Sequence, residues 1–154
     1  MRLERLPVAA LSSRIAQKDV SPVEVFDYFF SRYERLNRHV NAVVAADAEF
    51  GRAAAREAET RALNGSRLGA LDGIPVTIKD NLFVRGFAAT WGSRLYRSFM
   101  PERDDIAVER PGVARDEAAA RVTDLAEPVE VPGAPASSAT GDGVEHQLLV
   151  VADV

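Results

Sequence analysis

Every aromatic side chain of this 154-residue chain lies before residue 100, the last being Phe99. Aromatic and large aliphatic groups supply most of the apolar area that a core removes from water. A packed core can therefore be built over the first part of the chain. Over the last part the apolar content is almost entirely Ala and Val, and Pro111, Pro128, Pro132 and Pro135 interrupt regular structure. Charge divides at the same place. Residues 1–110 hold 17 Lys and Arg against 15 Asp and Glu, a net of +2; residues 111–154 hold 2 against 8, a net of −6. The sequence thus predicts a folded portion over 1–110. It predicts a poorly packed or disordered acidic Ala/Pro/Gly-rich tail over 111–154, either an out-of-frame reading of GC-rich DNA or a genuine evolved tail.

Composition removes several function classes. Without cysteine there is no disulfide framework, thiolate metal site or Cys nucleophile. Two histidines, His39 and His146, are too few for a multi-histidine metal centre. A formal net charge of −4 argues against a general nucleic-acid binder. No apolar run approaches the ~20 residues of a membrane span. No hydrophobic stretch comes after Met1-Arg2-Leu3-Glu4-Arg5, so the expected compartment is the cytoplasm.

Within 1–110 the elements obey local rules. Ser21-Pro22-Val23-Glu24 is a helix start, with Ser as cap, Pro at the first helical position and Glu closing a capping box. Val25, Phe26, Phe29, Tyr33 and Leu36 repeat at helical spacing, giving a helix over 22–36. A weaker helix is expected over 7–18. The apolar run 42–46 reads as a buried strand. The Ala-rich stretch 47–63 reads as a helix stopped by Asn64-Gly65. Gly69 to Gly73 is a turn. From Ile74 to Lys79, Ile74, Val76 and Ile78 face one side and Thr77 and Lys79 the other. Asp105 to Arg110 opens a helix that Pro111-Gly112 breaks.

The segment with chemical content is Gly73-Ile74-Pro75-Val76-Thr77-Ile78-Lys79-Asp80-Asn81. Only Lys18 and Lys79 are lysines, against 17 arginines, so a lysine closing a strand stands out. Burying an amine disfavours its charged form and can turn it into a base near pH 7. On spacing alone, an ordinary strand-end lysine that reaches solvent or pairs with Asp80 is the commoner case.

Downstream of that segment comes Gly86-Phe87-Ala88-Ala89-Thr90-Trp91-Gly92-Ser93. Upstream stand Val20-Ser21-Pro22-Val23-Glu24, Leu36-Asn37, Asn41-Ala42-Val43-Val44 and Leu68-Gly69-Ala70-Leu71-Asp72-Gly73. Together with Asp104-Asp105-Ile106-Ala107-Val108, this order resembles the N-terminal portion of the amidase signature family over about residues 5–110. The resemblance implies an α/β fold in which helices pack on a mixed sheet, of which this chain carries an incomplete part. It implies hydrolysis of a small-molecule carboxylic amide to an acid plus ammonia or an amine, through a Ser–cis-Ser–Lys triad and without a cofactor. Lys79 matches the triad lysine.

The resemblance stops at Arg110. In the family both triad serines lie farther downstream. Ser137-Ser138, in a Pro/Gly/Ser-rich stretch, lacks the glycine-dense setting that lets backbone approach an oxyanion, and reads as linker. Two function classes result: an amidase lineage whose chain here is inactive alone, or a non-catalytic fragment or interaction module. On either, the strand at 74–79 is expected to present an unpaired edge, with Val76, Ile78 and Phe83 short of burial partners. Elsewhere, Ser12, Ser13 and Ser93 read as caps or surface hydroxyls, and His39 as a helix-end residue. Trp91 reads as core beneath the lysine strand, and Phe29, Phe30 and Tyr33 as a core stripe. Arg52, Arg56 and Arg61 read as a solvated helical face.

Overall fold

In the computed structural model of the chain, residues 2–109 and 147–151 are described. Local rules account for its helices. Helix α1 spans Val8–Ala16, shorter than the periodicity predicts, because Lys18 takes a left-handed conformation (φ 64°) that stops it. Helix α2 spans Pro22–Val40. Its capping box is formed: Glu24 N–H donates to Ser21 Oγ at 3.1 Å, and Ser21 N–H donates to Glu24 Oε2 at 2.9 Å. The helix runs past Leu36 because its stop lies at Asn41, which has φ 45° and donates its N–H to Asn37 O at 2.7 Å. The Asn37 amide then grips both polar groups of Val43, donating to its carbonyl at 2.7 Å and accepting from its N–H at 2.9 Å. One side chain thereby sets the turn from α2 into strand β1, Val43–Ala46.

Helix α3, Ala48–Asn64, begins where Asp47 accepts from Phe50 N–H at 2.9 Å and ends at left-handed Gly65. Its small residues allow close approach to α2. Ala55 and Ala58 are fully buried, and a Cβ added at Gly51 would fall 2.4 Å from the Phe26 ring. Val25 and Phe26 fill the α2 side. Phe29, Phe30 and Tyr33 are half-buried, with Phe30 stacked on Phe26 and tilted against Tyr33.

Two expectations about this half are corrected. Arg61 is not on a solvated face: its guanidinium makes a bidentate pair with Asp72, from Nη2 at 2.8 Å and Nε at 3.1 Å. Asp72 is 1% exposed and also accepts from Leu68 N–H at 3.1 Å. Ser12 is buried rather than superficial; it donates to Ala70 O and accepts from Arg67. Arg67 reaches the carbonyls of Ser12, Ala70 and Asp72 as well, so α1, α3 and the turn before the next strand are tied together. Arg52 pairs with Asp27 on α2, while Arg56 is exposed.

Strand β2, Pro75–Lys79, comes after Gly73, whose φ of 85° makes the turn that delivers it. Helix α4 is the short Ile106–Glu109. Strand β3, Gln147–Val151, lies between β1 and β2, parallel to β1 and antiparallel to β2. The β2–β3 register runs from Pro75↔Val151 to Lys79↔Gln147. β2 is therefore paired on one side, by a strand from the region where none is predicted, and it remains at the edge of the sheet, as expected. The remainder of 110–146 and 152–154, with Ser137, Ser138 and His146, lies outside the described residues.

Helices against a mixed three-stranded sheet make the chain α/β. Its apolar centre comes in two main clusters. One joins Leu3, Leu11, Ile15, Val20, Val25, Ala62 and Ile74; the other joins Ile78, Val84, Phe87 and Val108. Ile78 is thus buried, while Val76 and Phe83 are half-buried. No helix among the described residues is long and apolar enough to cross a membrane.

Candidate functional site

Alternation along β2 decides which side chains its C-terminal end presents. Ile74 and Ile78 turn inward and are buried; Thr77 and Lys79 turn outward and are exposed. The Lys79 backbone is held by the register with Gln147 and by Leu82 N–H, which donates to its carbonyl at 3.0 Å. Lys79 thus points outward, the commoner case on spacing alone, and the burial that would favour a neutral amine is not supplied by the described residues. Burial falls instead on its neighbours, Ile78 and Asp80.

Asp80 organises the segment after the strand. It is 6% exposed, and both carboxylate oxygens are taken up by Thr90. Oδ1 accepts from Thr90 N–H at 2.7 Å, and Oδ2 accepts from the Thr90 hydroxyl. The Asp80 carbonyl accepts from Trp91 N–H at 3.3 Å, and Gly92 N–H donates to Thr90 Oγ1 at 3.1 Å. Residues 81–92 are thereby folded back onto the lysine end of β2. Trp91 and Gly92 are both left-handed there, at φ 50° and 68°.

This clamp carries Trp91 outward. The residue is 45% exposed, so the expectation of a tryptophan packed beneath the strand is corrected. Its ring meets Phe83 edge-on at 5.6 Å, Tyr96 at 5.1 Å and Phe99 at 5.8 Å. Ser93 caps the 3-10 turn Arg94–Tyr96 by accepting from Leu95 N–H at 3.3 Å, the capping role its sequence suggests. Ser13 and His39 are exposed, the latter in the last turn of α2. Sequence reasoning misses the Asp80–Thr90 clamp. Its signal is an acid directly after a strand, with a hydroxyl residue ten positions on in a segment bounded by Gly86 and Gly92.

An α/β chain that closes a strand with an exposed lysine and a buried aspartate can now be set beside its relatives. The family model Amidase matches residues 24–111. The A-subunit of glutamyl-tRNA(Gln) amidotransferase from Anaeromyxobacter sp. (strain K) is 35% identical over 106 residues, 69% of this chain and 22% of that protein. Its namesake from Carboxydothermus hydrogenoformans is 33% identical over 110 residues, 71% of this chain and 23% of the relative. That from Ralstonia pickettii is 37% identical over 107 residues, 70% and 21%. The chain belongs to the amidase family. It spans about a fifth of the length of the curated relatives it matches.

Proposed function

We propose that the chain contributes to cleavage of a carboxylic amide C–N bond, with Lys79 as the proton acceptor of a Ser–cis-Ser–Lys triad. The observation that supports this is the match over 24–111, which includes Lys79 in its Gly73–Asn81 strand segment. In this reading the unprotonated Lys79 amine takes a proton from one serine hydroxyl. That serine takes the proton of a second, whose oxygen attacks the amide carbonyl. Backbone N–H groups stabilise the oxyanion, the C–N bond breaks, and the amine leaves with a proton. Water then splits the acyl ester to give the acid. By the resemblance, both serines come from sequence outside the matched segment, so the matched segment alone is expected not to turn over.

Amidotransfer is a second reading, favoured by the names of the relatives, which describe part of a glutamyl-tRNA(Gln) amidotransferase. There the nitrogen released from one amide is passed to another carboxyl group instead of the amide being simply hydrolysed. The direct test is ammonia release from simple amides by the 154-residue chain beside Lys79→Ala. Equal, background release from both is expected. Release that Lys79→Ala abolishes would show that the chain already holds a complete site. A non-catalytic interaction module is the alternative if Lys79 proves dispensable in every assembled form.

A further inference from the structure

Every polar group of the half-buried Thr90 is engaged. Its N–H donates to Asp80 Oδ1 at 2.7 Å, and its hydroxyl donates to Asp80 Oδ2. The same hydroxyl accepts from Gly92 N–H at 3.1 Å, and the Thr90 carbonyl accepts from Ser93 N–H at 2.8 Å. At the other end of this clamp, Asp80 directly follows Lys79. The Lys79 carbonyl accepts from Leu82 N–H at 3.0 Å, and the Asp80 carbonyl accepts from Trp91 N–H at 3.3 Å. Both peptide groups that follow Lys79 are therefore held from within 80–92. Hydrogen bonds to a carboxylate are roughly twice as strong as those between neutral groups, so the Asp80–Thr90 contact is the firmest of these ties.

We propose that Thr90 is a positioning residue for Lys79, its hydroxyl fixing through Asp80 the backbone from which the lysine amine is aimed. This inference rests on the function proposed above. The β2–β3 ladder ends at the Lys79↔Gln147 pair, so the clamp is what holds the chain on the far side of the lysine. Asp80 is 6% exposed with both oxygens on Thr90, while Lys79 is exposed, so the clamp reaches the lysine through the main chain. A small backbone rotation at Lys79 is magnified along its long side chain. Misplacing a reacting group by about 1 Å costs about a hundredfold in rate. A base on a strand end needs such a hold more than one inside a ladder.

The test has two arms. In the 154-residue chain, amide hydrogen exchange of Leu82 and Trp91 reads the hold on the Lys79 and Asp80 carbonyls. Thr90→Val removes the hydroxyl and keeps the N–H. Both amides are expected to exchange about tenfold faster in it, with α2 and α3 unchanged, and Thr90→Ser to restore the parental rates. Asp80→Asn alters the other end of the same bond and is expected to quicken the same two amides, which covers a Thr90→Val chain that fails to fold. The second arm grafts 24–111 into the Anaeromyxobacter relative, assembled and assayed on glutamyl-tRNA(Gln). There Thr90→Val is expected to lower kcat about tenfold with KM within about twofold, and Thr90→Ser to match the parent. Unchanged exchange at both amides, a rise shared by α2 and α3, a Thr90→Val graft as fast as its parent, or a loss confined to KM overturns the proposal. So does a Thr90→Ser variant as impaired as Thr90→Val, because the hydroxyl is then not the operative group. A Lys79→Ala graft that keeps its activity refutes the proposed chemistry and, with it, the positioning. A Lys79→Ala graft that loses activity beside an unimpaired Thr90→Val graft refutes the positioning alone.

Discussion

Asp72 and Asp80 flank β2, and both are buried, at 1% and 6% exposure. Asp72 meets a charge, the Arg61 guanidinium, and with Arg67 and Ser12 it seals α1, α3 and the turn into a closed unit. Asp80 meets the neutral donors of Thr90, and the segment it holds turns its rings outward. The same residue type thus serves opposite ends. Before the strand it finishes a core; after the strand it fixes the shape of a surface. A charge pair suits a region that must be stable by itself. A hydrogen-bonded clamp fixes geometry with less energy, which suits a region whose rings stay partly exposed.

The largest effect should come from breaking the closed half. Asp72→Ala leaves Arg61, 19% exposed, without its counter-charge and should lower stability by about 3 kcal/mol in a urea melt. A loss like that of a surface mutation would show that the closed half does not depend on this pair. Gly51→Ala should cost roughly 1–3 kcal/mol, because its Cβ would meet the Phe26 ring, which must shift. Asp80→Asn should cost about 1 kcal/mol. Its signature is local. Trp91 is the sole tryptophan, so its emission and quenching should change while the helical circular dichroism stays. Equal loss of both signals would erase the distinction between the two halves.

The smallest effect concerns pH. The Tyr28 hydroxyl donates to the Glu4 carboxylate, linking the 3-10 turn Leu3–Arg5 to α2. That bond holds Glu4 below its ordinary 4.5 and Tyr28 above its ordinary 10.0. The Glu4 contribution is present above 4.5 and lost as pH falls through its lowered value. The Tyr28 contribution is present below 10.0 and lost as pH rises through its raised value. Tyr28→Phe should flatten both limbs of a stability–pH curve; an unchanged curve would show that this bond adds nothing to stability.

Features legible in the sequence are local ones. Ser21, Asp47 and Gly65 mark helix ends because a cap is decided within a few residues. The alternation of β2 and the family resemblance of 5–110 are also visible there. Features that escape depend on distant partners. Ser12 meets Ala70 and Arg67 more than fifty residues on, so neither burial nor bonding shows in its own neighbourhood. Arg61 shares a helix with Arg52 and the exposed Arg56, and only the turn to Asp72 sets it apart. The exposure of Trp91 reflects how 80–92 folds back. The pairing of β2 with 147–151 joins segments nearly seventy residues apart, and Ala/Val-rich composition gives no sign of it.

Lys79 is the centre of the proposed chemistry, and a graft tests it most directly. Residues 24–111 would replace the matched segment of the Anaeromyxobacter relative, and the assembled amidotransferase would be assayed on glutamyl-tRNA(Gln). Amide formation by the graft is predicted, with a loss on the order of a thousandfold in Lys79→Ala. A Lys79→Ala graft as active as its parent would contradict a catalytic role for this lysine.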